Sequence, residues 1–165
     1  MNKTRKVCKI PVLDVEKLVV VSALVDEDDY NRVSKYDWNL YRFSEHKKYV
    51  QATVSGRSVY LHRFVLPHTL PRTDHINQNT LDNRKSNLRP ATYSQNGANR
   101  KLNKNNASGF RGVHFEKFTQ RWRAQIQVEG VHIKLGRFST PELAAREYNS
   151  AATEFFGEFA VLNKI

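Results

Sequence analysis

Acidic residues are scarce in this chain: 16 Asp and Glu stand against 27 Lys and Arg, a formal net charge of +11 over 165 residues. So unbalanced a surface repels cationic partners and suits a phosphate backbone. Cysteine is almost missing. With Cys8 alone the chain can form no internal disulfide and no multi-cysteine zinc site, so any metal would be held by oxygen and imidazole. Long apolar runs are missing too. Residues 3–9 (KTRKVCK) begin like a targeting signal, but no apolar stretch of signal length follows and none could span a membrane. The expectation is a cytoplasmic protein with no membrane partner. What is present, 39% hydrophobic and 11% aromatic residues, is too rich in core-forming side chains for a disordered chain. The length allows one domain or two small ones, neither with a large core.

Charge is uneven along the chain. Residues 71–107 carry seven basic and two acidic side chains, a denser positive excess than either flank. Ahead of them, 19–25 (VVVSALV) reads as a buried strand, and the acidic stretch 26–36 can open a short helix with carboxylates at its N-terminus. Segments 37–43, 49–54 and 58–65 read as short strands, the last two joined by Ser55-Gly56-Arg57. Segment 95–107 (QNGANRKLNKNNA) is so rich in asparagine and basic residues that burial can offset little of its ordering cost, and we read it as a linker, placed in the domain division at 101–107. Beyond it, 110–113, 121–128 and 131–137 read as three strands, with Glu129-Gly130 as a turn. A helix is expected at 141–156: Pro141 fits its first turn, Ser139 or Thr140 its cap and Gly157 its stop, with Ala144, Tyr148, Ala151 or Ala152, and Phe155 on the packing face.

Residues 73–89 read TDHINQNTLDNRKSNLR, with asparagines at 77, 79, 83 and 87 around one Asp-His pair. Asp74 offers a hard cation a carboxylate oxygen, and a neutral His75 can take a proton from water. Asn96, 22 residues after Asp74, offers an amide oxygen as a second ligand. So sparse a sphere is completed by water and substrate phosphate, as at Mg²⁺ sites of phosphoryl transfer. The remaining asparagines suit an irregular loop, because their side chains cap backbone groups and tolerate left-handed backbone.

The run His62-Arg63, Asp74-His75-Ile76-Asn77, Leu81-Asp82-Asn83-Arg84, Asn87-Leu88-Arg89 and Asn96 resembles the His-Asn-His (HNH) nucleases of homing-endonuclease type, over roughly residues 55–100. The resemblance implies a ββα-metal motif with Asp74 as metal ligand and His75 as general base. It makes Asn87 the asparagine that braces the loop and orients His75, and Asn96 the second ligand where many members have histidine. That last departure favours Mg²⁺ or Mn²⁺. His62 is expected on a strand before the loop, in a mainly structural role. Arg63, Arg72, Arg84 and Arg89 can stabilise phosphate charge, although a solvated surface arginine is the default for each.

In 121–128, Trp122, Ala124, Ile126 and Val128 alternate with Arg121, Arg123, Gln125 and Gln127, so one strand face is apolar and the other basic and amide-bearing. The next strand sets Val131, Ile133 and Leu135 against His132, Lys134 and Arg137. Such a face can read bases in a major groove. The residues Phe110-Arg111-Gly112-Val113, Trp122-Arg123-Ala124-Gln125-Ile126, Leu135-Gly136-Arg137-Phe138, Ala144-Ala145, Tyr148, Ala151-Ala152, Gly157, Ala160 and Asn163 look like the DNA-binding domain of plant ethylene-response factors (APETALA/ERF type). That likeness implies three antiparallel strands on one helix, with DNA contacts from Arg111, His114, Arg121, Arg123, Gln125, Gln127, Lys134 and Arg137. His114 and Glu116 stand where that family usually has arginines, so its target sequence does not carry over.

Together the resemblances imply an α+β protein: a small mixed HNH domain at 1–100, a linker at 101–107 and an ERF-type domain at 108–165. The function they imply is that of a metal-dependent, monomeric endonuclease of homing type from a phage or mobile element, nicking double-stranded DNA with site selection helped by the C-terminal domain. The rivals are a non-catalytic DNA-binding transcription regulator that keeps the nuclease fold, and an RNA-binding protein, which charge alone would favour.

Overall fold

The computed structural model describes residues 6–16, 18–44, 47–103 and 105–165; residues 3–5 of the basic run lie outside the described residues. The α+β class expected from the sequence is the one found, with four α-helices and three sheets among the described residues. The chain divides into two compact units, Met1–Pro90 and Ala91–Ile165.

In the first unit a five-stranded sheet runs in the order β2-β1-β3-β4-β5. Strand β1 (Val7–Asp14) pairs antiparallel with β2 (Val19–Asp26), Val12 facing Val21, and runs parallel to β3 (Trp38–Ser44) through Val12 and Trp38. The sequence reading missed β1, because Lys9 and Pro11 interrupt its apolar residues. Only its alternate positions Ile10, Val12 and Asp14 are buried. Helix α1 (Glu27–Val33) carries three carboxylates in its first turn, where the helix dipole favours them, and buries Val33. Strands β4 (Lys47–Val54) and β5 (Arg57–Tyr60) form the hairpin expected at Ser55-Gly56.

The strand expected over 58–65 is corrected: β5 stops at Tyr60, and helix α2 (Leu61–Val65) follows. Leu61, His62 and Val65 are buried together, a helical spacing rather than the alternation a strand would give. His62 therefore sits on a helix. The core joins Ile10, Val12, Ala23, Val25, Val33, Trp38, Val50 and Leu61, and Arg32 closes one side by donating to the Phe64 and Val65 carbonyls at 2.8 and 2.9 Å. A two-stranded sheet, β6 (Arg72–His75) with β7 (Leu88–Ala91), carries the asparagine loop between its strands.

The second unit begins with helix α3 (Tyr93–Ala98), so residues 95–98 of the expected linker are helical. Thr92 and Gln95 close a capping box, and Ala91 and Ala98 join a core with Ile126, Tyr148, Ala151, Ala152, Phe156 and Phe159. The three-stranded antiparallel sheet β10-β9-β8 comprises β8 (Val113–Glu116), β9 (Arg121–Val128) and β10 (Val131–Phe138). Its first strand starts at Val113, not at 110, because Gly109 and Gly112 take positive φ and turn the chain before it. Helix α4 (Pro141–Phe156) has Thr140 as its cap and Gly157 at positive φ as its stop. Its buried face is Ala144, Ala145, Tyr148, Ala151, Ala152 and Phe156, whereas Phe155 is exposed. The four-residue step from Tyr148 through Ala152 leads to Phe156, one place beyond the sequence expectation.

Candidate functional site

The loop after β6 holds itself together with its own amides. Asn87 accepts from the Asn77 N–H at 2.9 Å and donates through Nδ2 to the Asp82 carbonyl at 2.8 Å, while its backbone carbonyl accepts from Ile76 N–H at 2.9 Å. Asn77 and Asn79 accept from the N–H groups of Asn79 and Leu81, the local turn bonding that favours asparagine here. Asp82 is the hub: Arg84 reaches both its oxygens, at 2.7 and 2.6 Å, and Asn77 Nδ2 donates to Oδ2 at 2.8 Å. Arg84 holds the Asp82 carboxyl below its ordinary value. The loop is also tied to β2, with Leu24 N–H on the Leu81 carbonyl at 2.7 Å and Asn83 N–H on the Leu24 carbonyl at 2.8 Å. Lys85 adds a bond to Asp26 from its backbone and to Asp29 from its side chain.

Asp74 and His75 are adjacent, buried residues at the end of β6. Arg89, on β7, places Nε at 2.9 Å and Nη2 at 2.8 Å from Asp74 Oδ2. His75 Nε2 lies 3.4 Å from Asn83 Oδ1, and the His62 ring meets the His75 ring edge-on at 5.3 Å. His62 in turn stacks on Tyr60 and meets Tyr49 edge-on. Burial pushes the His62 imidazole down to about 3, and burial also lowers His75, against opposing effects of the Asn83 bond and the Asp74 and Asp82 charges. Both rings are thus favoured in the neutral form, the form in which an imidazole can accept a proton.

The structure therefore brings together Asp74 with Arg89, His75 with His62 and Asn83, and Asn87 with the loop backbone. Asn83, read from the sequence as a loop former, is the amide whose side chain touches the His75 ring; Asp82, Tyr49 and Tyr60 were not singled out. The Asp82-Asn83-Arg84 run marked the first two of these, but their inward direction is set by tertiary ties that a linear pattern does not carry. Arg63 bonds the carbonyls of His68 and Pro71, so it and Arg84 both serve internal contacts; Arg72 is exposed. Asn96 lies half-buried on α3 in the second unit. Among the described residues no group of three or more His, Cys, Asp or Glu side chains could hold a metal, so a metal here would need water, amide or phosphate oxygen for most of its sphere.

In the second unit the polar side of the sheet carries His114 and Glu116 on β8, Arg121, Arg123, Gln125 and Gln127 on β9, and Lys134 and Arg137 on β10. The register sets Arg123 between His114 and Arg137, and Gln125 beside Lys134. Glu116 binds Arg123 Nη1 through Oε1 at 2.9 Å and Arg137 Nε through Oε2 at 2.5 Å. Gln125 Nε2 lies 3.3 Å from His114 Nε2. Arg121, Gln127 and Lys134 are exposed. Arg111 lies off the sheet: its backbone exchanges bonds with Asn163, and its guanidinium donates to the Arg100 carbonyl.

An uncharacterised HNH endonuclease of Acanthamoeba polyphaga mimivirus is 35% identical over 151 residues, which cover 87% of this chain and 75% of the viral protein. Protein 3.8 of Escherichia phage T7 is 33% identical over 87 residues, 53% of this chain and 71% of its own. An AP2-like ethylene-responsive transcription factor of Arabidopsis thaliana is 42% identical over 57 residues, 34% of this chain but only 12% of the plant protein. No family model matches the chain, and no solved structure matches it significantly.

Proposed function

The chain belongs to the HNH endonuclease family, and from that premise we propose that it is a homing-type, metal-dependent endonuclease that nicks double-stranded DNA. The observation that carries this reading is the buried Asp74-His75 pair, with a neutral imidazole set against Asn83 and a carboxylate set against Arg89. His75 is the general base: it takes a proton from water, whose oxygen attacks phosphorus as the bond to the 3′ oxygen breaks. Asn83 and His62 position its ring, and Asn87 and Asp82 position the loop that carries Asn83.

Asp74 and Asn96 each offer a hard oxygen, which suits Mg²⁺ or Mn²⁺ rather than softer metals, and Asp74 is the residue of the first unit that would hold the ion. When bound, such a cation supplies positive charge against the scissile phosphate and the leaving oxygen. The second unit helps choose the site through its polar sheet face, in the manner of the plant domain it resembles. A protein with one such loop reaches one phosphodiester at a time, so it acts as a monomer and nicks. Its setting is the cytoplasm of a cell hosting a phage or mobile element, in keeping with the viral and phage sources of two relatives.

Supercoiled plasmid incubated with and without Mg²⁺ tests the reading. Open circles should accumulate only with the metal, and His75→Ala should slow their appearance by at least about 10²-fold, the lower end of a general base's contribution. Metal-dependent nicking at the parental rate by His75→Ala would remove His75 as the base. No nicking by the parental protein, with duplex binding intact, would favour the transcription-regulator reading.

A further inference from the structure

Glu116 is out of place on a face meant for phosphate. It is the one acidic residue on the polar side of the three strands among the described residues, and its side chain is 18% exposed. A carboxylate there repels DNA, and exposed ion pairs contribute little to stability, so neither non-specific affinity nor folding explains it. Its geometry does. Oε1 is bound to Arg123, whose side chain is 30% exposed and whose Nε is buried without a partner, while Oε2 is bound to the Nε of Arg137, whose side chain is 51% exposed. Arg123 Nη1 anchors the carboxylate. Arg137 is held through Nε, so its terminal nitrogens, which make no hydrogen bond among the described residues, remain a pair of donors on a restrained guanidinium.

We propose that Glu116 is the residue that sets the base preference of this sheet, holding the Arg137 guanidinium so that its two terminal nitrogens read a guanine edge in the major groove. Guanine presents O6 and N7 as adjacent acceptors, which a planar guanidinium matches with two parallel bonds. Fixing the guanidinium before DNA arrives removes the ordering cost that a free arginine meets on binding. A phosphate accepts donors from many directions and needs no such restraint, so the clamp favours base reading over backbone contact. This inference rests on the reading of the sheet as a DNA-binding face.

Selection from a random duplex library tests it, using the full chain in a metal chelator so that no strand is cut. The parental protein should enrich duplexes with guanine at a defined position, and Arg137→Ala should lose that preference. Glu116→Gln should lose it at the same position by roughly tenfold, within the range a bidentate pair provides, while binding random-sequence duplex as tightly as the parent or more so. Melting should stay near the parental value. Those opposite movements separate the clamp from a structural role, since a damaged sheet would weaken both kinds of binding. If Glu116→Gln keeps the guanine preference that Arg137→Ala loses, or loses random-duplex affinity in step with it, the inference falls and the DNA-binding face stands. If Arg123→Ala, Lys134→Ala and Arg137→Ala all select the parental sites at parental strength, the DNA-binding face itself falls, and the inference with it.

Discussion

The asparagine loop of the first unit and the polar sheet face of the second are both crowded with hydrogen-bonding side chains, yet they use them in opposite directions. In the loop, Asp82, Asn83 and Asn87 are buried and spend their bonds on neighbouring backbone and side chains. On the sheet, Arg121, Gln127 and Lys134 are exposed, and below them Ala124 and Ile126 are buried against the helix side. Inward polar groups fix a geometry at the expense of tolerance, because each buried partner left without its bond is costly. Outward ones leave the fold to apolar packing and, as at Arg121 and Lys134, keep their donors for something else. The first arrangement suits chemistry that needs one proton acceptor in one place; the second suits recognition.

The largest break in that comparison comes from Gly112. It sits at φ +73, and an added Cβ would lie 2.1 Å from Tyr148 Cδ2 and 2.5 Å from the Gln125 carbonyl. The glycine is the point where the turn before β8 touches α4, and backbone cannot yield as a flexible side-chain tip can. Gly112→Ala should therefore unfold the second unit at ordinary temperature while the first keeps its structure. Calorimetry should show one transition lost, and site selection should weaken, with Mg²⁺-dependent nicking falling as well because Asn96 lies in that unit. A parental melting profile would mean that the contact relaxes and that the packing of Tyr148 is looser than drawn.

The contrast also explains how much could be read from the chain alone. Helix α4 was legible to both boundaries, since Pro141, Thr140 and Gly157 mark it locally, and β9 was legible because its two faces alternate cleanly. Strand β1 was not, as its partner β2 and the parallel neighbour β3 decide it from a distance. The helix at Leu61–Val65 hid inside a segment too short for its period to stand out. At the site, Asp74 and His75 were legible from residue type and spacing. The role of Asn83 was not, because it depends on the loop being pulled onto β2 through Leu24.

A smaller effect should follow from Asn87→Ala in the loop. Removing this amide leaves the carbonyl of buried Asp82 without its bond, a loss on the order of 1–3 kcal/mol, and frees the N–H of exposed Asn77 to water at smaller cost. Denaturant titration of the first unit should register it, with nicking reduced in proportion to the loosened loop. By comparison Gln127→Ala on the exposed sheet face should move stability by less than about 0.5 kcal/mol. Equal effects at the two positions would erase the distinction between buried and presented polar groups.

Acid should weaken the two units unequally. His62 is held at about 3 by burial, below the ordinary histidine value of about 6.5. The unfolded chain therefore takes up a proton as pH falls below that value while the folded chain does not. Stability from the neutral ring is complete above about pH 6.5 and is lost between there and about pH 3, at up to about 1.4 kcal/mol per unit. His75 is shifted in the same direction by burial. In the second unit His114 is lowered too, but it lies exposed and solvent screens it. Urea midpoints at pH 7 and pH 5 should fall more for the first unit than for the second. A parallel fall would mean that the His62 ring is not buried against Tyr60 as described.

The finest test of the comparison is Lys134→Ala, which should leave stability alone and change only how the sheet meets DNA. Lys134 is exposed on β10 opposite Gln125, and its removal uncovers no core, so melting should stay within about 0.5 kcal/mol of the parent. A lysine is a compact point charge rather than a planar fork, which makes it a phosphate contact more than a base reader. Duplex affinity should accordingly weaken by a similar factor for every sequence, and the slope of log affinity against log salt should shrink by about one. Titrations of the full chain at several salt concentrations, in chelator, measure both quantities. A slope equal to the parent's would place Lys134 off the DNA and confine contact to the Glu116, Arg123 and Arg137 end of the sheet. Loss at one base position alone would instead make Lys134 a reader and dissolve the division of labour drawn between it and Arg137.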